Sequence, residues 1–222
     1  MSTIPRSTRS ARPRLSAATR QGRERSIAAV LVGGASRRFG TDKAAAMYHG
    51  RTLLDHALAT LHSAGFERLA YVGGTARPSV GFDAVHVPDI AGEGCTLRGV
   101  ISLLEHAVRT DADDVMMLAC DVPRVSASTI TRVVDALRDS GKLHQAAAAV
   151  AFAGRDHWSC LAVTTKSLPT LRASFEHHEV AMHRAFASLH IERVLVDEQE
   201  MLNVNEPNTL LQAITNDVPT HE

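Results

Sequence analysis

The chain reads as an α/β protein with a mostly parallel sheet and helices on both faces. Three observations predict it. Apolar runs of strand length recur along the chain and alternate with segments of helical period. Several of those runs stop at strand-ending punctuation: Gly33-Gly34, Gly73-Gly74 and the Asp121-Val122-Pro123 turn. A length of 222 residues, 45% hydrophobic and 22% charged, suits one α/β domain with a full core.

The elements follow in order. Ala28 to Val32 is a strand that ends at Gly33-Gly34. Thr52 to Ala64 is a helix, with Leu53, Leu54, Ala57, Leu58 and Leu61 on one face and Gly65 as its stop. Leu69–Val72 and Ala84–Val87 are strands, the second closed by Pro88-Asp89, and Leu97 to Val108 is a helix. Val115–Ala119 is a buried strand, and Ser126 or Ser128 caps a helix that runs to about Leu137. Ala146–Phe152 and Cys160–Val163 are strands, Leu168–Phe175 and Val180–Leu189 helices, Arg193–Val196 the last strand and Glu206–Ile214 the last helix. No linker divides residues 27–216, so one domain is expected there, with 217–222 as a tail. In such a sheet ligands bind at the carboxyl ends of the strands.

The formal charge of zero hides an asymmetry. Residues 1–26 hold seven arginines against one glutamate, a local charge of +6, which leaves the remainder at −6. Ser, Thr, Pro and Ala separate those arginines without apolar periodicity, so residues 1–26 are expected to be a disordered tail. A solvated tail, an organellar transit peptide and a polyanion-binding arm all fit that composition; a secretory signal, which needs an apolar segment, does not. No run is long enough to span a membrane, and aromatics at 4% argue against single-strand nucleic-acid stacking, so neither partner is expected. Cys95, Cys120 and Cys160 lack any Cys-x-x-Cys spacing and read as reduced thiols of a cytoplasmic protein.

The loop from Gly33 to Lys43 is the most informative stretch. Glycines let backbone N–H groups approach phosphate oxygens, and Arg37, Arg38 and Lys43 bring fixed cations. The loop lacks the order of a Walker loop, and Gly33-Gly34 is not a Gly-x-Gly-x-x-Gly fingerprint. Asp55 sits near the distance at which a dinucleotide site holds a ribose, but inside a helical pattern; the second strand ends in Gly73-Gly74, not in an acid. Asp121, at a strand end beside a polyphosphate loop, is well placed to hold Mg²⁺ through oxygen. Asn203-Val204-Asn205-Glu206-Pro207 reads as a turn in which Asn205 caps the last helix.

Taken together, Leu31-Val32-Gly33-Gly34-Ala35-Ser36-Arg37-Arg38-Phe39-Gly40-Thr41-Asp42-Lys43, Cys120-Asp121-Val122-Pro123 and Asn203-Val204-Asn205-Glu206-Pro207 resemble the motifs of the molybdenum cofactor guanylyltransferases. Phe39 stands where that family usually has methionine. The resemblance implies a three-layer, Rossmann-like nucleotidyltransferase fold of GT-A-like type. It implies transfer of GMP from GTP to molybdopterin phosphate, with Mg²⁺ as cofactor and pyrophosphate released. It assigns nucleotide contacts to Leu31, Val32, Gly33, Gly34, Ser36, Gly40, Lys43, Asp89 and Asp121, catalytic roles to Arg38, Lys43 and Asp121, the metal to Asp121, and the acceptor to Asn203 and Asn205. Molybdoenzymes or other cofactor-biosynthesis proteins are the partners it implies. CTP or a sugar-phosphate acceptor, or a non-catalytic nucleotide-binding role beside molybdoenzymes, remain the alternatives.

Two stretches depart from the family. Gly94-Cys95-Thr96-Leu97-Arg98-Gly99 stands where Gly-Pro-Leu-x-Gly is usual, and Asp156-His157-Trp158 where many relatives have His-Pro. Trp158 reads either as a packing residue or as a platform for a planar pterin. His177, His178 and His183 lack zinc-site spacing and read as a solvated face.

Overall fold

Residues 23–32, 42–77, 81–143 and 146–216 are described by the structure, a computed structural model. Strand β1 (Ser26–Leu31) is buried along its whole length. Its side chains divide by parity: Ala28 and Val30 enter one core, Ile27, Ala29 and Leu31 the other. Continuous apolar sequence is what a strand covered on both faces requires. Strand β6 (Asp114–Ala119) beside it divides in the same way, Met116 and Leu118 against Val115 and Met117.

These two strands are the centre of a seven-stranded sheet of order β5 (Ala84–Val87), β4 (Leu69–Val72), β1, β6, β8 (Asp156–Thr164), β7 (Ala148–Phe152), β9 (Ile191–Leu195). Strands β4 and β5 extend it in parallel on one side. On the other side lie β7, β8 and β9. A small hairpin, β2 (Met47–Tyr48) with β3 (Arg51–Thr52), stands apart. It turns at His49 and Gly50, both at positive φ, the turn that matches the twist of a two-residue hairpin.

Helices cover both faces. On one side α1 (Leu53–Ser63), α3 (Ala127–Leu143) and α6 (Pro207–Asn216) supply Leu58, Ile130, Val134 and Leu210 to the first core. On the other, α2 (Thr96–Arg109), α4 (Leu168–Glu176) and α5 (Met182–Ala185) supply Leu97, Leu104, Leu171 and Met182 to the second. Three layers result, a Rossmann-like α/β fold. Because β1, β4, β5 and β6 are mutually parallel, their carboxyl ends share one edge of the sheet.

Some expectations are corrected. The tail expected to end at residue 26 is ordered at its end: Ser26 opens β1, Arg25 grips Asp113 and Asp111, and Arg23 is buried with its guanidinium over the Phe66 ring. Composition hid these contacts because their partners lie far along the chain. Strand β8 is longer than Cys160–Val163 and is antiparallel to both of its neighbours. A tight turn at Gly154, at positive φ, folds it straight back on β7. The helix expected over Val180–Leu189 shrinks to the single turn Met182–Ala185, which is enough to bury Met182, Ala185 and Phe186. Trp158 packs against Phe186, with ring centroids 5.1 Å apart. Among the described residues no helix is long and apolar enough to cross a membrane.

Candidate functional site

Lys43 is the point at which three distant segments meet. It opens a one-turn 3₁₀ helix (Lys43–Ala45) that Asp42 caps by accepting from the Ala44 N–H at 3.1 Å. Its side chain is only 13% exposed. The ammonium donates to Asp121 Oδ2 at 3.0 Å and to Asn205 Oδ1 at 2.8 Å.

Asp121 sits just beyond β6 and is held there through its backbone. The Val204 N–H donates to its carbonyl at 2.7 Å, which ties the strand end to the segment before α6. Two residues on, the Pro123 carbonyl lies 2.8 Å from His56 Nε2 of α1. Ser126 then caps α3 by accepting from the Thr129 N–H, so the chain turns away from the site at once. The other carboxylate oxygen, Asp121 Oδ1, is closed off from solvent and has no hydrogen-bond partner among the described residues. An unpaired carboxylate oxygen beside a lysine fits a hard, oxygen-seeking cation. No three His, Cys, Asp or Glu side chains gather into a metal cage among the described residues. A cation here would therefore complete its coordination with water and substrate oxygens, as Mg²⁺ does.

The end of β1 forms the floor. The Leu31 carbonyl accepts from the Cys120 N–H at 3.2 Å, and the Val32 N–H donates to the Val72 carbonyl at 3.0 Å. Helix α2 presses on this floor through Gly99: a Cβ there would lie 2.4 Å from Leu31 Cδ1 and 3.2 Å from Val72 Cγ1. The Leu97-Arg98-Gly99 ending thus has a packing reason. Gly33, Gly34, Ser36, Arg38 and Gly40 lie outside the described residues.

Asp89 is engaged within the protein. Arg98 Nη2 donates to its Oδ2 at 2.8 Å while Nη1 donates to the Gly92 carbonyl at 3.0 Å, which folds the β5–α2 loop onto α2. Asn203 is exposed and stands outside the hydrogen bonds of Lys43. Asp55 completes the cap of α1 with Thr52 and accepts from the Gly81 N–H, a structural use. His157 is buried in β8, and burial holds its imidazole below the usual histidine range.

One participant carried no signal of its own in the sequence. Arg77, in the loop after β4, forks onto Asp42 through both terminal nitrogens. The hydrogen bond from Arg77 and its charge hold the Asp42 carboxyl below the usual carboxylate range, and the same contact raises Arg77. The only hint lay in the glycine pair Gly73-Gly74, which repeats at the end of β4 the punctuation that follows β1.

Comparison with known proteins identifies the family. A family model described as a MobA-like NTP transferase domain matches residues 28–194. A molybdenum cofactor guanylyltransferase of Xanthomonas euvesicatoria pv. vesicatoria (strain 85-10) is 34% identical over 105 residues, 47% of this chain and 51% of that protein. One of Acidiphilium cryptum (strain JF-5) is 36% identical over 99 residues, 43% of this chain and 50% of that protein. The chain thus spans about half the length of these curated relatives. In structure it is similar to molybdopterin-guanine dinucleotide biosynthesis protein A of Archaeoglobus fulgidus. The TM-score is 0.68 at 18% identity, over 86% of this chain and 97% of that one, a likeness of fold. With the family match running from β1 into β9, the chain belongs to the MobA-like NTP transferase domain family.

Proposed function

We propose that the protein is a nucleotidyltransferase that moves GMP from GTP onto the terminal phosphate of molybdopterin and releases pyrophosphate. The observation that carries this reading is the convergence of Lys43, Asp121 and Asn205 at the carboxyl edge of a parallel sheet. An ammonium held between a carboxylate and an amide is a fixed, preorganised cation at the place where such folds bind phosphates.

In this reading the triphosphate lies along the Gly33–Lys43 loop, with Leu31 and Val32 beneath it. The amides of Gly33, Gly34, Ser36 and Gly40 would donate to its oxygens, and Arg38 and Lys43 would neutralise the leaving pyrophosphate. Asp121 would hold Mg²⁺, which when bound supplies positive charge to the phosphates. Asn203 and Asn205 would orient the acceptor through neutral amides that add no charge. Asp89 would contact the nucleotide through Oδ1 while Oδ2 stays on Arg98. Nothing in the scheme needs a covalent intermediate: the acceptor phosphate oxygen bonds to the α-phosphorus as the bond to pyrophosphate breaks. Positioning and charge neutralisation do the work.

The test is calorimetric titration of wild type and Asp121→Ala with GTP, CTP and ATP in Mg²⁺, followed by pyrophosphate release with molybdopterin. GTP-selective, Mg²⁺-dependent binding that Asp121→Ala weakens is the expected result. Preference for CTP would move the protein to a sister activity. Absence of nucleotide binding would overturn the enzymatic reading.

A further inference from the structure

We propose that Arg77 is a positioning residue for Lys43, acting through Asp42; this rests on the nucleotidyl-transfer reading above. The loop that carries Arg77 is itself anchored. Gly73 and Gly74 both take positive φ and turn the chain sharply after β4. The Arg77 N–H then donates to the Tyr71 hydroxyl at 2.9 Å. The Tyr71 ring is buried and stacks on His86 at 4.9 Å, so this anchor is rigid.

From that anchor the guanidinium reaches the Asp42 carboxylate, with Nη2 at 3.0 Å from Oδ1 and Nη1 on Oδ2. The same Oδ1 caps the turn that begins at Lys43. One carboxylate therefore joins the loop after β4 to the turn that aims the lysine. A planar fork fixes orientation as well as distance, which a point charge does not.

The contact also has an electrostatic effect. Asp42 is an anion directly beside Lys43, on the path where a polyphosphate would lie. Paired with Arg77, its charge is offset locally, and repulsion of the incoming phosphates is reduced. Arg77 thus serves the site twice without touching substrate: it sets the turn and it cancels the neighbouring negative charge.

The experiment compares wild type, Arg77→Ala, Arg77→Lys, Asp42→Asn and the Arg77→Ala/Asp42→Asn double variant. Each is titrated with Mg²⁺·GTP, assayed for pyrophosphate release and melted. Arg77→Ala should weaken GTP binding about 10-fold and lower kcat/KM by about 10- to 100-fold, with a melting temperature near that of wild type. Arg77→Lys should recover only part of the loss, and it carries the test if the alanine variant does not fold. The double variant should be no worse than Arg77→Ala, because both substitutions break one contact. Wild-type binding and turnover in both Arg77 variants would overturn the proposal while the nucleotidyl-transfer reading stood. Additive losses in the double variant would overturn it too, since Arg77 would then act on substrate directly. Failure of wild type to bind any nucleotide would remove the underlying reading and this inference with it.

Discussion

The ammonium of Lys43 stands 3.0 Å from Asp121 Oδ2 and leaves the second oxygen of that carboxylate unpartnered among the described residues. In the proposed reaction this lysine would neutralise phosphate charge. Both side chains are mostly buried, 13% and 22% exposed, so removing the lysine leaves the Asp121 carboxylate without its cation and should cost about 1–3 kcal/mol of folding free energy. Activity is the more sensitive readout. Lys43→Met is expected to slow pyrophosphate release by about 10²- to 10³-fold, the range for one preorganised electrostatic group. Steady-state rates beside melting curves check this, and a large drop in melting temperature with unchanged turnover would refute it.

Gly99→Ala should destabilise the fold although it adds a single methyl. The new Cβ meets Leu31 Cδ1 at 2.4 Å on the buried floor below the site. Leu31 can shift its side-chain end, but Val72 Cγ1, 3.2 Å away, limits the relief. Overpacking of this kind costs about 1–3 kcal/mol. Chemical denaturation should show a lower midpoint with an unchanged slope; an unchanged midpoint would mean that α2 sits farther from β1.

The Asp42–Arg77 contact predicts an acid-side signature. The folded-state pKa of Asp42 is depressed, so its contribution to stability is present above the unfolded value of about 3.9 and is lost as pH falls through the lower folded value. The contact is half-exposed on the Asp42 side, so the direct readout is the carboxyl titration itself. By carbon-detected NMR its midpoint should lie below the ordinary aspartate range in wild type and move upward in Arg77→Ala. A midpoint that does not respond to that substitution would separate the two residues.

The thiols should divide into two classes. Burial pushes Cys120 and Cys160 up to about 12, so almost no thiolate forms near neutral pH, whereas Cys95 is partly exposed at the start of α2. An aromatic disulfide reagent at pH 8 should label Cys95 in the native protein and reach the other two only after denaturant is added. Rapid labelling of all three would show that the β6 end opens readily.

Elements with apolar cover on both faces were legible in the sequence. β1 and β6 announce themselves because every residue type in them must tolerate burial. β8 did not, since Asp156, His157 and Ser159 give its first half the look of a loop, and only pairing across the Gly154 turn makes it a strand. The periodic pattern over Val180–Leu189 predicts more helix than its burial requires, since one turn satisfies it. At the site, Asp121 and Asn205 were visible as strand-end and turn residues beside a glycine loop. Their meeting on Lys43 was not, because it joins segments 78 and 162 residues apart. Arg77 was invisible for the same reason: its partner lies 35 residues away, and a lone arginine in a loop has no periodicity to betray it.

That long span has a kinetic side. Lys43 emerges early in synthesis and its amide partner Asn205 late, so the full set of contacts on the lysine cannot form until Asn205 has been made. The central sheet can pair and bury its helices while the lysine still lacks one of its two acceptors. Competence would then appear as a late step, after most of the secondary structure has formed, because contacts so distant in sequence are slow to close. A refolding chain would regain its circular dichroism before its ability to grip a nucleotide, and the interval between the two would time the docking of the segment that carries Val204 and Asn205 against the end of β6.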